Sequence, residues 1–122
     1  MNRITVAGNV GREPELKYAN SGMAILKFSV ADTSGKDDKK KTIWHSVTAF
    51  GDLAENAAAS LTKGTRVVID GKLTEDKYTN KDGVEVTKVQ ILADDISLSI
   101  RFGGMEPVQP AAPAPSDDEA PF

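Results

Sequence analysis

Apolar and polar residues alternate one by one in segment after segment of this chain, and nothing else in the sequence restricts its fold so strongly. Ile4, Val6 and Val10 alternate with polar or small residues, with Gly8 in the same phase. Leu26, Phe28 and Val30 alternate with Lys27 and Ser29. Val67, Ile69 and Leu73 alternate with Asp70 and Lys72, and Gly71 takes an apolar position. Ile96, Leu98, Ile100 and Phe102 alternate with Ser97, Ser99 and Arg101. Successive side chains of a strand point to opposite faces, so period two predicts strands with one face on a core. Glycines in the core phase suit the bulges and bends that let a sheet curl.

One segment breaks the pattern. Asp52 and Glu55 have capping-box spacing, Leu53, Ala57 and Leu61 recur on one helical face, and Lys63-Gly64 supplies a stop. A short helix plugging one end of a sheet structure is expected there. Two hairpins are expected as well. One spans residues 32 to 42 around Ser34-Gly35; the other turns at Asn80-Lys81-Asp82-Gly83, where Asp-Gly favours a tight reversal. Strands, one helix, then more strands is the order of a five-stranded Greek-key barrel of the oligonucleotide-binding (OB) type. The fold class is all-β with one short helix; from pattern alone a small sandwich is the alternative.

In the segment 42 to 50, Ile43, His45, Val47 and Ala49 share one face and Trp44, Ser46, Thr48 and Phe50 the other. The second face mixes rings with hydroxyls and does not read as core. Exposed rings gathered on a surface mark a binding site. Tyr78 falls in the phase of Lys72 and Asp76 on its own strand. Three rings flanked by Lys72, Lys77, Lys81 and Lys88 suit stacking on unpaired bases, since every base has a π-face. For Trp44 and Phe50 taken singly, core packing is the competing reading. Lys39, Lys40 and Lys41 read by default as a solvated hairpin tip, and as phosphate contacts if they lie near the rings. His45, the single histidine, reads as a core or interface residue.

Catalytic readings find little support. Asp94 and Asp95 are adjacent, and adjacent strand residues point to opposite faces, which suits a shared metal poorly. No phosphate-cradling glycine loop with its lysine is present, nor a nucleophile-base pair. No cofactor, metal or catalytic residue is expected.

The net charge of −3 looks wrong for a nucleic-acid binder until its distribution is considered. Residues 1 to 102 hold all 15 bases against 14 acids, a net of +1. Residues 103 to 122 hold four acids and no base. The division expected is a domain over 1 to 102, a Gly/Pro/Ala-rich linker over 103 to 115, and an acidic tip over 116 to 122, the last two disordered. In the tip, Asp117, Asp118 and Glu119 precede Pro121 and Phe122, an aromatic with no core nearby. A ring for a pocket and carboxylates for a basic rim make a docking peptide; a plain acidic tail is the alternative. Cysteine is absent, no apolar run nears the ~20 residues of a membrane span, and no signal-type segment opens the sequence. A soluble, cytoplasmic protein without membrane contact is expected.

The segment Trp44-His45-Ser46-Val47-Thr48-Ala49-Phe50-Gly51-Asp52-Leu53-Ala54-Glu55 resembles the signature strand-to-helix stretch of bacterial single-stranded DNA-binding proteins. Residues 2 to 11 with Pro14-Glu15-Leu16 and Tyr18, and the stretch from Gly64 to Leu73, are similar to the same family. The terminal Asp-Asp-Glu-Ala-Pro-Phe resembles its partner-binding tip. The resemblance covers essentially residues 1 to 102. It implies an OB fold, usually a homotetramer, binding single-stranded DNA in the nucleoid during replication, recombination and repair. It places Trp44, Phe50 and Tyr78 among base-stacking aromatics, with replication and repair proteins as partners of the tip. Three departures stand out: a short hairpin over 34 to 41 without an aromatic, Tyr78 where some members carry Trp, and Ala120 in place of a larger apolar residue. A primosomal or RNA-binding OB protein is the nearest rival, and a small metal-dependent nuclease using Asp94 and Asp95 the more distant one.

Overall fold

The computed structural model describes residues 1–101. Strands β1 (Ile4–Val10), β2 (Glu15–Tyr18), β3 (Ala24–Ser34) and β4 (Lys41–Phe50) precede helix α1 (Gly51–Ser60); β5 (Arg66–Thr79) and β6 (Glu85–Leu98) follow it. The sheet runs β1-β5-β6-β4-β3-β2, and a further pairing of β1 with β3 closes five strands into a barrel. β4 and β6 meet in parallel, Val47 opposite Ile91 and Thr48 opposite Leu92, while the other pairings are antiparallel. With the helix inserted between the third and fourth barrel strands, this is the OB connectivity expected from the sequence. β2 is an addition to the five: four exposed residues paired only to β3, at the sheet's edge.

The alternating residues meet inside the barrel. Leu26, Val30, Val47, Val67, Ile69 and Ile91 are at most 1% exposed. Ala54, Ala57 and Leu61 bury the apolar face of α1 against one end of that core. Tyr18 ties β2 to the helix, its hydroxyl donating to Glu55 Oε2 at 3.0 Å. That hydrogen bond to a carboxylate holds the phenol above its ordinary pKa.

Two sequence expectations need correction. Asp52 is not the N-cap: β4 runs into α1 without an intervening loop, so Phe50 occupies the cap position with extended backbone and no side-chain cap bond. Asp52 falls inside the first turn, where its charge still complements the helix dipole. The second correction concerns β6, which turns Ile91 and Ala93 inward as well as Ile96, the last opposite buried Ile69 and packed against the core; Leu98 at the strand's end and Ile100 beyond it are 43% and 64% exposed. A bulge lets both the odd and the even phase of this strand face the core. Asp70 stands opposite Asp95 and Gly71 opposite Ala93, which leaves Asp94 as the extra residue and inverts the phase beyond it. A Cβ at Gly71 would run into the Leu92 carbonyl, so the close approach of the two strands requires glycine there.

The bulged Asp94 and the neighbouring Asp70 both face Arg3, at 3.7 and 2.8 Å. Asp95 instead accepts from the Ile96 amide at 2.9 Å, so the two adjacent carboxylates have separate partners. Past the bulge, β5 and β6 leave the barrel as a two-stranded arm, which is why Leu73 is exposed. The arm ends in the expected turn, where Asn80 Oδ1 accepts from the Asp82 and Val84 amides at 2.9 and 3.1 Å. Among the described residues no helix is long and apolar enough to cross a membrane. Phe102, the linker 103 to 115 and the tip 116 to 122 lie outside the described residues.

Candidate nucleic-acid interface

β3 and β4 pair without interruption from Ile25 opposite Phe50 to Ser34 opposite Lys41. Residues opposite one another in such a ladder share a face. The face turned from the core therefore carries Trp44, Ser46, Thr48 and Phe50 beside Ala31, Ser29, Lys27 and Ile25. Trp44 is 61% exposed and Phe50 45%, which removes the core reading for both rings. Val47 and Ala49 point inward and are buried. His45 lies half-buried at the rim of the core, its Nε2 3.5 Å from Asp32 Oδ2.

The indole of Trp44 leans on the turn that follows β1. A Cβ at Gly11 would collide with this ring and with the Ser29 hydroxyl, so glycine makes room for it. The Gly11 amide donates to the Ser29 carbonyl at 2.9 Å and fixes the turn under the ring. Beside the indole lies an open notch lined by Gly11, Arg12, Ser29 and Trp44. A ring supported on one side and open beside a cation suits stacking by a base.

Thr48 departs from the pattern of its face. It is buried, and its hydroxyl donates to Gln90 Oε1 on β6 at 3.0 Å. The middle of the face is thus filled by a polar pair. Trp44 and Phe50 stand at the two ends of the row, about 20 Å apart by strand rise, and do not form one contiguous aromatic platform.

Tyr78, 48% exposed, belongs to the same surface. On the arm it shares a face with Asp76 and Thr74 and with their partners Val86, Lys88 and Gln90. Gln90 meets Thr48, and Lys88 lines a groove with Lys27 and Ser46, so this face of the arm continues that of Trp44. Lys72 has the same phase, opposite Leu92 where the arm joins the barrel. Lys77 pairs with Thr87 in the other phase and lies on the opposite face from the rings, contrary to the sequence expectation. Lys81 is exposed at the arm's tip. Lys39 closes a single 3-10 turn, Lys40 follows it, and Lys41 opens β4. All three are exposed, and none lines the groove.

Sequence reasoning missed Gly11, Arg12 and the facing positions of Lys27 and Ser29. The polar phase of β3 was visible, but which residues it faces depends on register with β4, which no local pattern encodes.

The model of the single-strand binding protein family matches residues 1–99. The chain is 40% identical to a single-stranded DNA-binding protein of Xanthomonas campestris over 103 residues, covering 80% of this chain and 60% of the relative. For proteins of the same name from Xylella fastidiosa and Neisseria meningitidis serogroup B the identities are 38% and 35%, each over 80% of this chain and over 63% and 59% of the relative. The chain spans about 60% of the length of the relatives it matches. Its closed barrel, inserted helix and signature strand lie within the matched segment, and the chain belongs to the single-strand binding protein family.

Proposed function

We propose that this protein binds and protects single-stranded DNA with little sequence preference, in replication, recombination and repair, and catalyses no reaction. The observation that carries this reading is the exposed Trp44, seated on Gly11 and opening beside Arg12 onto a groove where Lys27 and Lys88 stand with Glu13 and Glu15. Stacking by Trp44, Phe50 and Tyr78 needs no particular base, which gives sequence tolerance. The domain's net charge of +1 is small, so stacking supplies much of the affinity and nearby lysines the rest. Lys88, Lys72 and Lys81 are the sequence-selected lysines best placed for phosphate; Lys77 contributes only at a distance. A homotetramer is part of the proposal, since one small barrel contacts few nucleotides and β2 leaves a sheet edge open. Light scattering at micromolar concentration should give four chains per particle, and a monomer would refute the assembly.

A labelled oligonucleotide incubated with the protein and Mg²⁺ tests the core reading. The strand should be retarded and remain full length; cleavage would make the protein a nuclease and overturn the proposal.

Residues 116 to 122 complete the proposal as an adaptor that recruits replication and repair proteins. Four acids repel phosphate, so removing residues 103 to 122 should leave DNA affinity equal or slightly higher while partners are lost. Phe122→Ala should cause most of that loss, because it deletes the ring that fills a pocket. Asp117→Asn with Asp118→Asn should weaken recruitment in a salt-dependent way. Pull-down from a cell extract with the three baits checks this. Retention of every partner by Phe122→Ala would reduce the tail to a solubilising extension.

A further inference from the structure

A groove between α1 and the end of β6 lies apart from the surface assigned to DNA. Leu53, Asn56, Ala57 and Leu61 line one side of it, and Ile96 and Leu98 the other. It shares no residue with the notch beside Trp44 or with the groove of Lys27 and Lys88. Ala57 and Leu61 are buried, Leu53 and Ile96 pack against the core, and Leu98 is left 43% exposed. The floor is thus continuous with the barrel core, and an apolar group laid in the groove extends that core.

The chain supplies such a group at the groove's end. Past Leu98, the Ser99 amide donates to the Arg66 carbonyl at 3.0 Å, and Arg66 Nε donates to the Ser99 hydroxyl at 3.2 Å. These bonds hold residue 99 beside the start of β5. The Arg101 amide then donates back to the same hydroxyl at 3.5 Å, in a turn. The described residues end there, and the next in sequence are Phe102 and the pair Gly103-Gly104. Beyond Arg101 the aromatic residues are Phe102 and Phe122. The cost of closing a loop rises with its length, so the nearer ring is favoured for a groove that Leu98 itself lines. Charge acts in the same direction. The last turn of α1 holds no base, and its carbonyls are the negative end of the helix dipole, which disfavours Asp117, Asp118 and Glu119 of the tip.

We propose that Phe102 seats its ring in this groove, as an apolar latch that closes the α1 end of the barrel and fixes where residues 103 to 122 leave the domain.

Trypsin provides the test, because Arg101 is exposed and residues 103 to 122 hold no further base. Cleavage of the Arg101-Phe102 bond releases residues 102 to 122 in one piece. With Phe102 seated, that bond is cut only in the fraction of molecules whose latch is open. Cleavage of the native full-length protein is followed by mass, relative to a free peptide of residues 97 to 107 carrying the same substitution. Wild type should be cut slowly and Phe102→Ala roughly 10- to 100-fold faster, the population change that loss of one buried ring implies. Phe102→Leu should stay slow. Asn56→Glu, at an exposed helix position, puts a charge at the mouth of the groove and should speed cleavage without altering the bond. Cleavage after Arg66, whose neighbour Val67 is fully buried, requires the barrel to open and should not change. An equal acceleration there would mean a loosened fold and would overturn a local latch. Wild-type cleavage as fast as the peptide, or insensitivity to either Phe102→Ala or Asn56→Glu, would overturn it too. So would protection lost in Phe122→Ala, which puts the tip in the groove, or protection that fades on dilution, which puts a second copy's ring there.

Discussion

Trp44→Ala is expected to weaken poly(dT) binding by about 1–3 kcal/mol per site, roughly 5- to 150-fold, with the fold unchanged. The ring is 61% exposed, so its removal deletes little core contact and should move the thermal midpoint only slightly. A second readout separates stacking from charge. The indole neutralises no phosphate, so the salt slope of Trp44→Ala should match wild type even as affinity falls. A folded Trp44→Ala protein with full affinity would mean that the indole serves an interface between chains and not a base.

Leu26→Ala should cost about 2–5 kcal/mol of folding stability, the usual range for emptying a well-packed aliphatic site. Leu26 is fully buried on β3, opposite Ala49 of β4 and Leu16 of β2, where the barrel cannot collapse onto the void. Leu98→Ala is the informative contrast. Alternation in the sequence gives both leucines an inward position, and Leu98 stands opposite buried Val67, yet at the end of β6 it is 43% exposed. Its replacement should stay within about 0.5 kcal/mol, as at other surface sites. Urea unfolding of the two variants checks this difference: equal losses would mean that Leu98 is packed as deeply as Leu26.

The barrel was legible because its core residues alternate within single strands, as at Leu26, Phe28 and Val30. The helix was legible from the period of Leu53, Ala57 and Leu61, but its cap was not. Capping-box spacing identifies Asp52 only if a loop precedes the helix, and here β4 enters it directly. Only part of the inward face of β6 was legible. Alternation marks Ile96, which packs against the core, but the bulge reverses the phase, and the burial of Ile91 and Ala93 depends on Gly71 letting the partner strand approach. Of the interface, the exposed rings could be read from one strand's two faces. Arg12 and Lys27 could not, since they meet Trp44 and Ser46 only through pairing across the sheet. Lys77 misled for the same reason: nearness in sequence to Tyr78 puts it on the opposite face.

Trp44 is the single tryptophan of the chain, so its emission reports directly on the surface to which function is assigned. Titration of the protein with poly(dT), with a mixed-sequence single strand and with a duplex tests the central claim most directly. The two single strands should quench the emission with similar midpoints and saturate at a fixed number of nucleotides per protein, and the duplex should leave it nearly unchanged. Retention of single-stranded DNA without quenching, or equal affinity for the duplex, would contradict a site built on stacking of unpaired bases at Trp44.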